Sequence, residues 1–339
     1  GISPSGTPPP PGTPPRDELV ESLQLGRCRV SGRVLRLERL CVRALQAAVL
    51  SGPEGAVLLV RRAREIVELF LAVAPTRMPK PMVPHVALML HNDCRYLSHA
   101  CLLLALPYFW RLPEGARAEA SLVEFAEPLR AAGKAALERA VESQTSSLLA
   151  TLDRAGPLSS VGEDELAGSL AQRAAAQLAR ELAALRTTWC DALPASAALP
   201  CAARMAEAIM GALYHKLIEL RHISERDSRA LHRLLSYLLP ACEELLSASA
   251  RAPLGPRAEH LVPSLRRCRQ VAWILDARLA QVVDRHTAGG LDGLPPRHLL
   301  LLTRALWTEE ALLANARSMH AQLVAEASAG DARVSLRRG

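Results

Sequence analysis

The side chains best suited to chemistry lie together in residues 88–104. This stretch places His91, Asp93, Cys94 and His99 within nine positions. Imidazole, carboxylate and thiolate groups bind zinc, and a cysteine beside a histidine can act as a nucleophile. On a helix, His91 and Cys94 could share an ion, whereas His99 would lie about 12 Å from His91 by helical rise. The stretch therefore raises two hypotheses, a metal-dependent and a cysteine-dependent enzyme, and both need further groups from elsewhere in the chain.

The spacing of apolar residues in the same stretch indicates packing instead. Leucine and cysteine recur at steps of 4, 3, 4 and 3, the apolar stripe of a helix packed against other helices; the stripe is Leu90, Cys94, Leu97, Cys101 and Leu104. No glycine-rich loop adjoins it to stabilise an oxyanion. We therefore interpret the cysteines as small core residues, and the two histidines and Asp93 as flanking polar groups that bond locally. We predict no catalytic residue, no cofactor and no metal.

The elements that position these residues are predicted to be helices throughout. Half of the 339 residues are hydrophobic, but only 3% are aromatic, and strands favour β-branched and aromatic side chains. Long helix-forming segments alternate with short loops that contain proline or glycine, without the alternation typical of strands. We predict an all-α fold of successive antiparallel helical bundles.

Proline and glycine divide the chain into four regions. We predict a disordered Pro-rich linker at 1–16, N-terminal helical bundles at 17–158, C-terminal helical bundles at 159–328 and a flexible basic tail at 329–339. Apolar periodicity predicts helices at about 17–50 (interrupted at 26–32), 54–74, 85–106, 116–155 (cut or bent near Pro128 and Gly133), 163–190, 201–222, 225–248, 264–286 and 297–327. The start at Gly1, without an initiator methionine, suggests a fragment or a processed piece.

The charge and the cysteines restrict the class of function. The net charge is +7, and the 41 basic residues are almost all arginine. The arginines are spread among acidic residues, so we expect no nucleic-acid binding. An arginine-driven nucleic-acid binder stays as a minor hypothesis. Weak attraction to an anionic membrane also fits the charge. Eight cysteines without a Cys-x-x-Cys pair fit a reducing, cytoplasmic setting. No apolar stretch reaches the ~20 residues that span a bilayer, so membrane association is expected to be peripheral.

A candidate partner surface lies in the C-terminal half. It consists of Arg266, Arg267 and Arg269 at the start of the predicted 264–286 helix, and of Trp307 in the predicted final helix. Tryptophan and arginine are enriched at the energetic centres of protein interfaces. Core anchoring is the alternative for Trp307, since tryptophans of amphipathic helices usually anchor a core.

Short motifs in a fixed order point to a known family. The longest runs from His91 to His99, and its matching residues are His91, Asn92, Cys94, Tyr96, Leu97 and His99. The others are Glu68 to Phe70 with Pro75-Thr76, Leu185 with Trp189 to Pro194, Leu220 with Ile223 to Asp227 and Leu231, Val262-Pro263 and Ala305-Leu306. Together they resemble the C-terminal half of the Zeste-White ten family, whose helix reads His-Asn-Asn-Cys-x-Tyr-Ile-Ala-His, so that Asp93 departs from the family pattern. The resemblance covers about residues 66–323.

The resemblance implies a scaffold without catalytic activity, built as an elongated rod of stacked bundles of the kind found in tethering complexes. In vesicle transport, such a subunit joins the neuroblastoma-amplified sequence protein in a tether at the endoplasmic reticulum that receives Golgi-derived vesicles and engages SNAREs. At kinetochores it joins Rod and Zwilch and supports the spindle checkpoint and dynein recruitment. We take Golgi-to-endoplasmic-reticulum tethering, by a cytoplasmic protein held at the membrane only through partners, as the main expectation. The kinetochore role in mitosis is the alternative, and in both the large helical partner is expected on the C-terminal bundles.

Overall fold

The fold is built from α-helices. The computed structural model describes residues 28–77 and 83–336, and no β-strand occurs within these ranges. The all-α prediction is therefore confirmed. The predicted linker at 1–16 lies outside the described residues. No helix in the described ranges is both long and apolar enough to cross a membrane.

The first part of the chain forms a helical hairpin followed by a pair of crossing helices. The hairpin consists of α1 (Gly32–Leu50) and α2 (Pro53–Val73), and the crossing pair consists of α3 (Pro84–Leu103) and α6 (Ala126–Asp153). Between them lie two short helices, α4 (Leu106–Phe109) and α5 (Glu114–Arg117), and two 3₁₀ turns, Pro75–Arg77 and Val123–Phe125. α2 and α3 each begin at a proline, which fits the first helical position because the amide it lacks would have no helical partner.

The later helices pack with α6 into a larger bundle. They are α7 (Glu165–Ala192), α8 (Ala195–Ile218), α9 (Glu225–Ala250), α10 (Arg257–Leu261), α11 (Pro263–Asp276), α12 (Leu279–Thr287), α13 (Pro296–Leu306), α14 (Glu309–Asn315) and α15 (Arg317–Leu336). α9 contacts α7, α8 and α11, and α8 contacts α6 and α11. The helices α8 and α9 therefore lie at the centre of this bundle, and α13 pairs with α15 at its C-terminal end.

Two large hydrophobic cores, and a small cluster of Leu90, Cys94 and Ala136 between α3 and α6, hold the helices together. The smaller core collects buried side chains of α1, α2, the second half of α3 and residues 112–129. The larger core begins at Ala87 and Leu88 in α3 and continues to Leu323 in α15. Helix α3 therefore contributes to both cores. The larger core contains residues from both sides of the predicted boundary at 158/159; the division into bundles and the elongated rod stay predictions.

Predicted helix limits are best where a local signal marks them. The capping box at the start of α9 is confirmed, since Ser224 Oγ accepts the Asp227 N–H and the Asp227 carboxylate accepts the Ser224 N–H. By contrast, α6 begins at Ala126 rather than near 116, and it is not cut at Pro128. This proline falls in the first turn of α6, where its missing amide has no helical partner to lose.

Three predicted helices need correction. The 264–286 helix is α11 and α12, separated at Ala277 and Arg278, where the backbone is extended and Gln281 caps the new helix by accepting the Arg278 N–H. The final helix is α13, α14 and α15: Trp307, expected near its middle, ends α13, and Thr308 caps α14. Helix α8 begins at Ala195 rather than near 201, and α15 is helical through Leu336, into the predicted tail.

Candidate functional site

Residues 88–104 form most of α3, whose position is set by a close crossing with α6. Gly133 lies at this crossing, where an added Cβ atom would be only 2.9 Å from the Cβ of Cys94. His91 Nδ1 lies 3.1 Å from the carbonyl oxygen of Gly133, within hydrogen-bond distance. The absence of a side chain at Gly133 therefore lets the two helices approach, and His91 bonds across the crossing.

Cys94 is a buried thiol at this crossing. Burial, followed by the charge of Asp93, raises the pKa of the Cys94 thiol to about 12. The thiol is therefore protonated at neutral pH, and a protonated thiol is a poor nucleophile and metal ligand. The ring of His91 is oriented by Gly133, and burial lowers its pKa. This arrangement favours packing over nucleophilic chemistry at Cys94.

Asn92 joins α3 to two segments that are distant in sequence. Its side-chain amide donates one hydrogen bond to the carbonyl oxygen of Ala192 at the end of α7, at 2.6 Å, and one to that of Arg29, at 2.8 Å. The Asn92 side chain is fully buried. A buried carbonyl left without its donor costs about 1–3 kcal/mol, so the bond to Ala192 fixes α3 against α7.

Asp93 holds the start of α1. Its carboxylate accepts hydrogen bonds from the N–H of Ser31 at 2.7 Å and from the Ser31 hydroxyl at 2.6 Å. Burial raises the pKa of Asp93, and the two bonds from Ser31 oppose this shift. The expectation that Asp93 and His91 bond locally is wrong, because Asp93 binds Ser31 at the start of α1 and His91 lies within hydrogen-bond distance of Gly133 in α6.

Of the remaining motif residues of α3, Tyr96 and Leu97 face the hairpin. Leu97 is buried in the smaller core, and the Tyr96 hydroxyl donates to the buried carboxylate of Glu38 in α1. His99 is half-buried, and its pKa is lowered by burial and then by the nearby Arg95. We call His91, Asn92, Asp93, Cys94, Tyr96 and Leu97 the α3 junction, since they fasten α3 to α1, α6 and α7.

A groove of about 890 Å³ lies between α6 and α8. Two of its carboxylates have structural partners: Asp153 pairs with Lys216 at 3.0 Å, and Glu207 accepts hydrogen bonds from the N–H and hydroxyl of Ser264. These carboxylates thus stabilise contacts between helices. In the part of the chain that the structure describes, no group of three or more His, Cys, Asp and Glu side chains could hold a metal ion.

The arginines of the predicted partner surface make contacts within the chain. Arg266 pairs with Asp292 at 2.5 Å, and Arg269 pairs with glutamates of α9 and α10. The guanidinium of Arg267 lies 5.7 Å from the centroid of the Tyr214 ring. The structure thus brings the three arginines together on α11, where their charge is partly neutralised.

Trp307 lies on a different element from these arginines. It follows α13 and is half-buried against the larger core. The sequence alternatives for Trp307, core anchor and interface residue, both fit a half-buried ring. The role of Trp307 and the α11 arginines in partner binding stays a prediction.

One close contact was not anticipated from the sequence. The N–H of Gly162 donates to the Asp227 carboxylate at 2.6 Å, and an added Cβ at Gly162 would lie 2.4 Å from the Asp227 backbone nitrogen. The capping box predicts that one carboxylate oxygen of Asp227 caps the start of α9. The other oxygen accepts the hydrogen bond from Gly162 in this distant turn. No local pattern marks Gly162, since glycine in a polar turn has many explanations.

Motifs that are far apart in the sequence meet in the structure. Asn92 contacts Ala192, which belongs to the motif from Trp189 to Pro194. The N–H of Ile223 donates to the carbonyl oxygen of Ala305 at 2.8 Å. The motifs therefore make contacts between helices. Residues shared within a helical family are expected to make such contacts, because they fix how the helices pack.

Two models of one family match the chain in succession. Residues 23–150 match the model described as "Centromere/kinetochore protein zw10, C-terminal", and residues 173–299 match the model described as "ZW10 C-terminal helical domain". The chain belongs to the zw10 family. The α3 junction lies within the first matched range of this zw10-family chain, and α8 and α9 lie within the second. The resemblance inferred from the ordered motifs is confirmed.

Curated proteins that are similar to the chain are named as zw10 homologs. The "Centromere/kinetochore protein zw10 homolog" of Mus musculus is 25% identical over 297 residues, which cover 85% of this chain and 38% of the mouse protein. The homolog of Arabidopsis thaliana is 24% identical over 268 residues, which cover 78% of this chain and 36% of the plant protein. The zw10-family chain therefore spans less than two-fifths of the length of these relatives.

Proposed function

We propose that the zw10-family chain is the C-terminal part of a non-enzymatic scaffold subunit that holds other proteins of a multisubunit complex. Family membership supports a scaffold role at kinetochores or in tethering. A scaffold acts by keeping its partners at set distances. It therefore needs rigid connections between its helices rather than a reaction centre.

The α3 junction is the observation that carries this proposal. Its residues make contacts between helices: Asn92 binds the end of α7, Asp93 binds the start of α1, and Cys94 packs at the crossing with α6. Moving α3 relative to these neighbours would break buried hydrogen bonds that water cannot replace. The larger core extends this rigid connection from α3 to α15.

The main setting that we propose is the tethering of Golgi-derived vesicles at the endoplasmic reticulum, with the protein cytoplasmic and peripheral at that membrane. Its partner there is a large helical subunit of the neuroblastoma-amplified sequence type, and SNAREs are engaged through the complex. The second setting is the kinetochore in mitosis, with Rod- and Zwilch-type partners and a dynein adaptor. The name of the relatives, which refers to the centromere and kinetochore, favours this second setting. Both settings require the same rigid support.

Affinity purification of the full-length protein from interphase cells and from cells arrested in mitosis tests the proposal. We expect large helical subunits to copurify in both preparations, together with SNAREs of the endoplasmic reticulum in interphase and kinetochore proteins in mitosis. Recovery of the protein without stoichiometric partners in both preparations would contradict the scaffold function. Recovery of kinetochore proteins alone would remove the tethering setting.

We also propose that Arg266, Arg267, Arg269 and Trp307 contribute to the surface for the large partner. Trp307→Ala should reduce copurification of this partner, because a half-buried tryptophan can anchor an interface. Trp110→Ala, a change of the same type in the N-terminal part, is the matched control and should retain the partner. Thermal unfolding of both variants distinguishes a lost interface from a lost fold. Full retention of the partner by a folded Trp307→Ala variant would refute this assignment.

A further inference from the structure

One side of α1 is exposed and basic. Arg39, Arg43, Gln46 and Leu50 follow each other at steps of 4, 3 and 4, which places them on one stripe of the helix. All four side chains are exposed, and Leu50 is 85% exposed. The single acidic residue of α1, Glu38, is buried. The exposed stripe therefore combines positive charge with a projecting leucine.

This stripe continues into an exposed aromatic turn. The side-chain amide of Gln46 donates to the Tyr108 hydroxyl at 3.4 Å, so residues 106–110 lie beside the C-terminal end of α1. In this turn, Leu106 is 60% exposed and Trp110 is 78% exposed. This contact joins the stripe to the turn. We call the two together the α1 surface and define it by Arg39, Arg43, Leu50, Leu106 and Trp110.

Trp110 is held in place although its ring faces solvent. Phe109 packs edge-on against it, with ring centroids 5.2 Å apart, and the guanidinium of Arg117 lies 6.0 Å from the Trp110 ring. Arg117 is itself fixed, because it donates hydrogen bonds to the carbonyl oxygens of Leu112 and Trp110. A ring that is already ordered loses little conformational freedom when it binds.

The charges around the α1 surface leave it positive. The acidic residues of the adjoining segments at 51–57 and 106–118 are Glu54 and Glu114. The second of these segments also carries Arg111 and Arg117, and α1 adds Arg33 and Arg36 to the two arginines of the surface. Arginines thus outnumber carboxylates on and around the α1 surface, which suits an anionic ligand.

We propose that the α1 surface binds the headgroup region of an anionic phospholipid bilayer. Trp110, Leu50 and Leu106 enter the interface, and Arg39 and Arg43 pair with lipid phosphates. Tryptophan concentrates at the membrane–water interface, and arginines near an anionic leaflet strengthen attachment. This direct contact goes beyond the proposed function, because a scaffold subunit can reach a membrane through its partners alone.

The shape of the α1 surface favours a bilayer over an acidic protein. Its apolar side chains project from a helix end and a turn, whereas two grooves of the molecule lie elsewhere, one between α6 and α8 and one between α7 and α9. A protein partner buries its anchor residues in packed, complementary pockets. A bilayer accepts projecting apolar side chains without a matching shape.

Vesicle flotation of the full-length protein tests this proposal. The vesicles contain phosphatidylserine in phosphatidylcholine, or phosphatidylcholine alone. We expect salt-sensitive binding to the mixed vesicles and at least about tenfold weaker partition onto the neutral ones. Tryptophan emission should shift to shorter wavelength on binding, because Trp110 is exposed while Trp189 is buried.

Two sets of variants locate the contact. Arg39→Glu/Arg43→Glu and Trp110→Ser should each lower partition about tenfold or more, and Trp110→Ser should also abolish the emission shift. Arg173→Glu/Arg233→Glu, on exposed positions of α7 and α9, is the control with the same change in net charge and should bind like the unmodified protein. Far-UV circular dichroism verifies that each variant is folded.

The outcomes separate this proposal from its competitors. No binding of the unmodified protein to the mixed vesicles would overturn it, and an equal loss in the control pair would show attraction by net charge alone. If the unmodified protein does not bind vesicles and the Arg39→Glu/Arg43→Glu variant loses a protein partner, the α1 surface binds an acidic protein instead. The surface variants should keep the large helical partner, so a failure here is distinguishable from a failure of the scaffold proposal.

Discussion

Replacing Asn92 by aspartate is the sharpest test of the α3 junction. The substitution changes one nitrogen to an oxygen and leaves the volume almost unchanged, so packing is preserved. It nevertheless replaces a donor of two hydrogen bonds by a group that only accepts, directed at the carbonyl oxygens of Ala192 and Arg29. Asn315, which is exposed at the end of α14, provides the matched control Asn315→Asp.

The contacts of Asn92 set the size of the effect. Ala192 is buried, and a buried carbonyl without its donor costs about 1–3 kcal/mol. The new carboxylate is also buried without a cation, and an uncompensated buried charge costs about 3–5 kcal/mol. Asp93, the next residue, adds like charge. We expect a loss of about 4 kcal/mol or more at neutral pH, a large part of a typical stability of about 5–15 kcal/mol.

Urea unfolding followed by far-UV circular dichroism measures this loss. Asn92→Asp should be strongly destabilised, Asn92→Ala should lose about 1–3 kcal/mol, and Asn315→Asp should match the wild type within about 0.5 kcal/mol. Burial raises the pKa of an introduced carboxyl, so the stability of Asn92→Asp should fall as pH rises and recover when the group is protonated. If Asn92→Asp unfolds like Asn315→Asp at neutral pH, the reasoning about the junction is refuted.

Three further substitutions test the packing and the polar contacts of the fold. Leu97→Asp places a charge in the smaller core and should lower the free energy of unfolding by about 3–5 kcal/mol, so unchanged thermal unfolding would show that this position is not core. Gly162→Ala drives a Cβ atom into the backbone at the start of α9 and should cost at least about 2 kcal/mol, whereas Gly32→Ala, with open space around its Cβ, should be neutral or stabilising; equal thermal shifts for the two would contradict the close approach. Asp93→Asn removes a desolvated charge and keeps an acceptor for the Ser31 N–H. Because burial raises the pKa of Asp93 in the folded state above its unfolded value, the wild type should lose stability as pH rises through that folded pKa, and the variant should not; parallel pH profiles in urea unfolding would exclude this effect.

Helix positions were predictable where local chemistry sets them. Pro53 and Pro84 mark the starts of α2 and α3, and Ser224 with Asp227 marks the start of α9. The break between α11 and α12 was not predictable from periodicity, because the apolar stripe continues from Leu265 to Val282 across it. The break at Trp307 had a local signal, since Thr308 is followed by two glutamates and caps α14.

The burial of residues at the candidate site was predictable from the sequence, but the partners of its polar side chains were not. The 3–4 spacing correctly indicates that Cys94 and Leu97 are core residues, because helix periodicity is a local property. The role of Asn92 depends on Ala192, 100 residues away, and that of Asp93 depends on Ser31, 62 residues away. No pattern within α3 encodes those distances, so only the folded structure shows that these side chains join helices.

Residues 88–104 carry the side chains best suited to chemistry, yet we infer that they form buried contacts between the helices of a scaffold. The rate at which Cys94 reacts with a thiol reagent is the strongest test of this inference. Peptide mass spectrometry follows each cysteine in the native protein separately. Cys94 should react orders of magnitude more slowly than the half-buried Cys28 and Cys190, and its rate should rise with urea in step with the unfolding of α3. Labelling of Cys94 in the native protein as fast as that of Cys28 and Cys190 would contradict the account.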